Sequence, residues 1–289
     1  MGREYINIPK VIQVGDFGDI LQRANSLSLG TEAVCCLNEV SFITPEMLIL
    51  LVTLSKLIYD KLRRQILWSD LSPDVYSYLE RLDVDKLEFV NLKKPPRALP
   101  YHRAYNGSEN IVELAEIKGW KEIGSALQKT RGVLNRWFPN KPIQFRENLI
   151  TLLKETVENS CDHSGKIPQD GICYYVVQKY QRKSGCIELD IAVSDVGVGM
   201  LESQRRVFSE TKDDIAAIRG ALIEGKSGRK SGGGMGYITI KEALGQLSGS
   251  LDIRSGQGVV LYNPTWEQPR VYRKSTTYPG TQLFFRCRG

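Results

Sequence analysis

The sequence predicts an α/β protein in two parts, a small α/β unit over residues 1–92 and, after a linker at 93–117, a two-layer sandwich over 118–289 with helices on one face of an antiparallel or mixed sheet. Three observations carry this reading. Alternating apolar residues in Ile172 to Tyr180 and Ile187 to Val193 have the period of neighbouring strands, whereas Thr151 to Gly165 has that of a helix. Leu92 to Asn110, with paired prolines at Pro95 and Pro96, a further Pro100 and polar surroundings, is a linker. Ahead of it, short apolar strands alternate with amphipathic helices.

In the first part, Ala33 to Leu37 reads as a strand. Pro45 opens a helix at its first position after a Thr44 cap, and Met47 to Leu62 continues it. Ile66 to Trp68 suggests a second strand, and Pro73 to Leu82 a second helix with Val75, Tyr78, Leu79 and Leu82 on one side. Beyond the linker the pattern is helical from Ile111 to Trp137 and leads through Pro139 and Pro142 into the helix that organises the rest.

On that helix Glu155, Asn159 and His163 fall at i, i+4 and i+8, a spacing that drifts by only about 40° per step and aligns them along one edge. Asn159 and His163 come beside Leu149, Leu152 and Leu153. Half-buried polar groups need partners, and a hydrated divalent cation satisfies both a carboxylate and an amide oxygen; a solvated helix face has the same spacing. The strand Ile187 to Val193 runs into Asp195-Val196-Gly197-Val198-Gly199, a tight turn beside one fixed carboxylate that can accept from an exocyclic amine, or simply a turn. Lys230 to Tyr237, KSGGGMGY, leads into an apolar helical pattern, so its glycines present amide N–H groups and a dipole end suited to phosphate, with Arg229 and Lys230 adding charge. A flexible linker is also glycine-rich.

Between these two stretches, Leu201 to Lys230 has the place of a lid, with a short helix at Asp213 to Glu224 and hinge glycines at Gly225 and Gly228; a surface helix with a charge run fits the same residues. Leu251 to Leu261 reads as a hairpin around Ser255-Gly256-Gln257-Gly258.

Composition narrows the function. A hydrophobic content of 42% with 25% charge is ordinary for a folded soluble protein. The net charge of +6, from 39 Lys and Arg against 33 Asp and Glu, lacks the concentrated basic face that nucleic-acid binding calls for and fits an anionic nucleotide at least as well. Six cysteines without C-x-x-C spacing and only two histidines argue against zinc. Met47 to Leu54 is far too short to cross a bilayer, so the expectation is a protein of the reducing cytoplasm, off the membrane.

Taken in order, E-x-x-x-N-x-x-x-H, D-x-G-x-G and G-G-G-M-G-Y, closed by Gly280-Thr281-Gln282-Leu283-Phe284, resemble the GHKL superfamily of ATP-binding proteins, which holds DNA gyrase B, mismatch-repair ATPases, histidine kinases and anti-sigma serine kinases. The resemblance implies the Bergerat fold over 118–289, ATP and Mg²⁺ as cofactors, and a role for each matching residue. Glu155 would be the general base, Asn159 the Mg²⁺ ligand and Asp195 the reader of the adenine amine. Gly197 and Gly199 would shape the adenine pocket, while Lys230, Gly232, Gly234, Met235 and Gly236 would meet the phosphates. Thr281 would support the base, and His163 stands at a position whose role varies in this family.

The first part is similar to the STAS domains of anti-sigma factor antagonists, although the segment aligned with their phosphorylated D-S-S-G is here Thr44-Pro45-Glu46-Met47, which lacks the serine acceptor. A histidine kinase is not indicated, because His102 sits in the proline-flanked linker rather than on a long helix, and Asp162 precedes His163 where those kinases carry a basic residue. The resemblance therefore implies a Mg²⁺-dependent ATPase or serine/threonine kinase-like regulator of a partner protein, binding ATP or ADP. An ATP-gated interaction module with little turnover and a non-enzymatic STAS-type scaffold are the alternatives. Monomer and homodimer both stay open.

Overall fold

A computed structural model describes residues 2–10, 16–96, 110–164, 171–183, 185–228 and 234–289, and divides the chain into two compact units, Met1–Ser108 and Glu109–Gly289. The protein is thus α/β in both parts.

The N-terminal unit repeats strand and helix: β1 (Arg3–Asn7), α1 (Asp16–Ser26), β2 (Glu32–Cys36), α2 (Pro45–Leu62), β3 (Ile66–Ser69), α3 (Pro73–Arg81) and β4 (Val90–Leu92). All three strand pairings are parallel, in the order β1-β2-β3-β4. Parallel strands need crossover connections, which the helices supply. The apolar run in α2 has a packing cause, since Leu48 to Val52 are all fully buried. Its start is held by the Thr44 hydroxyl, which accepts from the Met47 N–H at 3.1 Å, with Pro45 at the first turn, and Arg63 closes it in a left-handed conformation. The strands β1 and β4 are too short to show a period in the sequence, whereas α1 has one, since Phe17, Ile20, Leu21 and Ala24 are all buried and fall at helical spacing.

The C-terminal unit contains β5 (Ile111–Lys118), α4 (Trp120–Trp137), α5 (Ile143–Ser164), β6 (Ile172–Gln181), β7 (Ile187–Asp195), α6 (Gly199–Arg205), α7 (Asp214–Glu224), α8 (Met235–Gln246), β8 (Ser250–Tyr262) and β9 (Arg270–Arg288). The sheet order is β5-β6-β7-β9-β8 and every pairing is antiparallel, so of the two arrangements the sequence left open the sheet takes the antiparallel one. One core fills the space between a sheet face and the helices: Leu149, Leu152, Leu153 and Val157 of α5 meet Tyr175, Val193 and Leu283 there.

Three expectations are corrected. Ile111 to Lys118 is not linker or helix but the edge strand β5, so the expected linker at 93–117 ends before Ile111. A bulge between Val112 and Ala115 breaks the alternation that would have revealed it, and Gly119 at φ +86° turns the chain into α4. Leu251 to Leu261 is not a hairpin. It lies within the single strand β8, irregular at Gly256 where φ is +57°, and the chain reverses at 263–269, where the Asn263 carboxamide oxygen accepts from the Thr265 N–H at 2.9 Å. The stretch proposed as a lid is largely fixed structure, because α6 occupies its start and α7 sinks Ile218 and Leu222 completely into the core.

Also buried is the second sheet face, which carries Tyr174, Val176, Ala192, Ser194 and Gln282. Arg254 lies on it 2% exposed, bonded to Asp252 at 2.8 Å and stacked 4.6 Å from the centre of the Phe284 ring.

The middle of α5 and its first residue differ in what a truncation removes. Leu152→Ala, at a fully buried position, should lower stability by about 2–5 kcal/mol in urea denaturation followed by circular dichroism. Ile143→Ala, at a position 69% exposed, should stay within about 0.5 kcal/mol of the parent.

Candidate functional site

Helix α5 presents its half-buried edge to a cavity of about 200 Å³. Glu155, Asn159 and His163 all line it, and so do Asp195, Gly199, Gly234, Met235, Gly236 and Thr281 from elsewhere in the chain. Gly197 is not in the lining. It lies behind the wall, where an added Cβ would come 2.3 Å from the Cα of Ser164 and 3.0 Å from Asp195 Oδ1. Lys230 and Gly232, along with Arg229, fall outside the described residues.

Asp195 terminates β7 with its side chain buried. Its Oδ1 accepts from the Gly197 N–H at 2.8 Å and the Thr281 N–H at 3.2 Å, and the Ser160 hydroxyl of α5 bonds the same carboxyl. Burial dominates these bonds and pushes the carboxyl up to about 7. Gly280 makes the approach of β9 feasible: at φ +59°, an added Cβ would lie 2.2 Å from the Asp195 carbonyl oxygen. Ser255 of β8, fully buried, braces the other side by accepting from the Met200 N–H and donating to the Gly280 carbonyl, each at 2.9 Å. Its hydroxyl is also 3.5 Å from that of Thr281.

Across the cavity the first turn of α8 rests on α5. Gly236 lacks the Cβ that would sit 3.1 Å from Glu155 Oε2 and 3.2 Å from Asn159 Nδ2, so the backbone can come this close. Gly234 caps the helix at φ +96°, with an added Cβ placed 1.6 Å from the Gly225 carbonyl oxygen, a contact only glycine allows. The result is a helix N-terminus, with its unbonded N–H groups, beside a carboxylate and an amide at a cavity. Such a terminus suits an anion, and the Glu155 and Asn159 oxygens suit a hard cation.

His163 pairs its Nδ1 with the Ser203 hydroxyl of α6 at 2.9 Å. Burial, followed by the charge of Arg206, lowers the imidazole below its ordinary range, so it is neutral at pH 7.

Several lining residues escaped the sequence reading. Ser160 follows Asn159 on the inward side of α5, one i+4 step beyond Thr156, which also lines the cavity. Tyr237, whose phenol is held well above its ordinary value by burial and by neighbouring Asp195, follows directly on the glycine run. Met200, Gln204 and Lys226 come from α6 and the segment after α7, and no local pattern marks them.

No family model and no curated protein matches the chain. Among solved structures it is similar to the histidine kinase domain from the Erythrobacter litoralis EL346 blue-light activated histidine kinase, at 10% identity and a TM-score of 0.27, covering 85% of this chain and 88% of that one.

The Asp195 carboxyl makes a signed prediction. Folded, it holds its proton up to about 7, whereas unfolded it releases it near the ordinary carboxyl value, so stability attributable to it falls as pH rises between those limits. The full loss is at most about 4 kcal/mol. Thermal melts across this range should show wild type losing stability relative to Asp195→Asn, with the gap widening toward neutral pH and constant above it.

Proposed function

We propose that the C-terminal unit is a GHKL-type module that binds ATP with Mg²⁺ and passes its terminal phosphoryl group to water or to a serine or threonine hydroxyl, and that the protein thereby controls a partner. The observation that carries this reading is convergence: four stretches separated by up to about a hundred and thirty residues contribute to one cavity, with a carboxylate, an amide, a buried carboxyl and a helix N-terminus around it.

The residues present fit such a ligand. Asp195, once ionised, accepts from an exocyclic amine, with Gly197 and Thr281 holding its orientation. The amides at the start of α8 receive anionic oxygens, and the Gly236 cradle has the room that a side chain would take away. Asn159 Oδ1 is the oxygen donor for the metal, and the Glu155 carboxylate one helical turn away is kept for the base. Bound Mg²⁺-ATP would supply the transferable phosphoryl group and the neutralising charge. Glu155 takes the proton of the attacking hydroxyl, and neutral His163 holds α6 against α5 through Ser203 without adding charge.

The N-terminal unit we read as a STAS-like docking module. Its Thr44 hydroxyl already serves as the α2 cap and Glu46 occupies the aligned acceptor position, which supports a module not switched by serine phosphorylation.

Calorimetry tests the pocket. Asp195→Ala should weaken ATP binding by about 1–3 kcal/mol, and wild-type affinity should rise with pH through about 7 as the carboxyl ionises; unchanged affinity in the variant sinks the assignment. Chemistry is tested separately. Glu155→Ala should bind ATP nearly as wild type does while phosphate release and transfer to partner hydroxyls fall by about 10²–10⁴-fold. Wild type that binds ATP yet shows neither activity would favour the gated-module alternative.

A further inference from the structure

Strand β9 is 19 residues long, but β7 pairs only with Gln282 to Arg288 of it. Ahead of that, Arg270 to Arg273 pair on one side with Gly258 to Leu261 of β8, and no strand among the described residues borders the other side. Successive residues of a strand point to opposite faces, yet Arg270, Val271, Tyr272 and Arg273 are all exposed, Val271 by 40% and Tyr272 by 44%. Among the described residues both faces and one backbone edge are open here. The strand is nonetheless anchored, because its partners Val259 and Val260 are buried.

An open edge with apolar side chains is a template for another chain, and proteins ordinarily cover or blunt it. This one is instead charged with a single sign. Arg270 stacks 4.2 Å from the centre of the Trp266 ring, Lys274 lies 5.9 Å from that of Tyr272, and Arg273 is ion-paired with Asp213. Arg270 and Lys274 have no acidic partner among the described residues.

We propose that residues 270–274 are a docking strand for an extended acidic segment of a partner protein, which adds beside β9 through backbone hydrogen bonds and sets carboxylates against Arg270 and Lys274. The backbone edge supplies affinity for any extended chain, and the cations select the acidic one. A second copy of this chain is the wrong occupant, since antiparallel self-pairing centred on Tyr272 would set each Arg270 opposite the other copy's Lys274. Nucleic acid fits less well. One of the cations is already neutralised by Asp213, and the Trp266 and Tyr272 rings each carry a cation on one face instead of forming an open stacking platform. The inference is independent of the nucleotide reading, because none of these residues lines the cavity.

The test uses the full chain and a fluorescein-labelled peptide of alternating Glu and Val, with an alternating Lys and Val peptide and an oligo-dT as comparisons. Fluorescence anisotropy should show the acidic peptide bound, more weakly as salt is raised, with hydrogen exchange slowed at 270–273. The double variant Arg270→Glu/Lys274→Glu should lose binding by about tenfold or more and gain affinity for the basic peptide. Tyr272→Ser, which leaves the charges in place, should lose part of the affinity. The proposal is overturned if the acidic peptide does not bind at millimolar concentration, if the charge-reversed variant binds it equally, if oligo-dT binds more tightly, or if sedimentation shows the wild type dimerising through this edge.

Discussion

The buried carboxyl of Asp195 ties together the three elements on which the cavity depends. It ends β7, accepts from the backbone of β9 at Thr281 and from the turn at Gly197, and is bonded by Ser160 of α5. A carboxyl removed from water without such donors would be costly, so its position is determined by the bonds, and those bonds determine where strand end and helix meet. Gly280 and Gly197 are consequences of this constraint, since a side chain at either would intrude on the same few ångströms. Burial still outweighs the donors and leaves the group poised near neutrality, where a ligand offering a hydrogen bond to the ionised form can shift it.

The opposite wall follows a different logic. There the close approach is between helices, α8 against α5, and glycine at Gly236 brings peptide N–H groups rather than side chains toward Glu155 and Asn159. The polar groups of α5 are tolerated on an edge flanked by Leu152 and Leu153 because they face a cavity, not the core. Lifting α7 away from the cavity would expose Ile218 and Leu222, at roughly 1.5–3 kcal/mol each.

The long β8–β9 ribbon separates two roles within one strand. Its second half is central to the sheet and lends Leu283 and Phe285 to the core, while its first half leaves the sheet and keeps an edge open. Because the ribbon is held through Val259 and Val260, the open edge is presented as a rigid strand and not as a loop.

By itself the sequence determined the features that depend on local chemistry. Caps and periods located α2, α3 and α5, alternation located β6 and β7, and the spacing of Glu155, Asn159 and His163 set them on one edge because helix geometry is the same everywhere. The turn at Asp195 and the glycine run ahead of α8 were visible for the same reason, as backbone conformations that few residues permit. What tertiary structure alone decided were the pairings that have no local signature. β5 became a strand through its partner β6 despite a bulge, β8 stayed one strand because β9 runs beside it through the glycine irregularity, and Met200, Gln204 and Lys226 reached the cavity from elements distant in the chain. Such contacts depend on where other elements pack, and a residue's neighbours in sequence carry no record of its neighbours across a sheet.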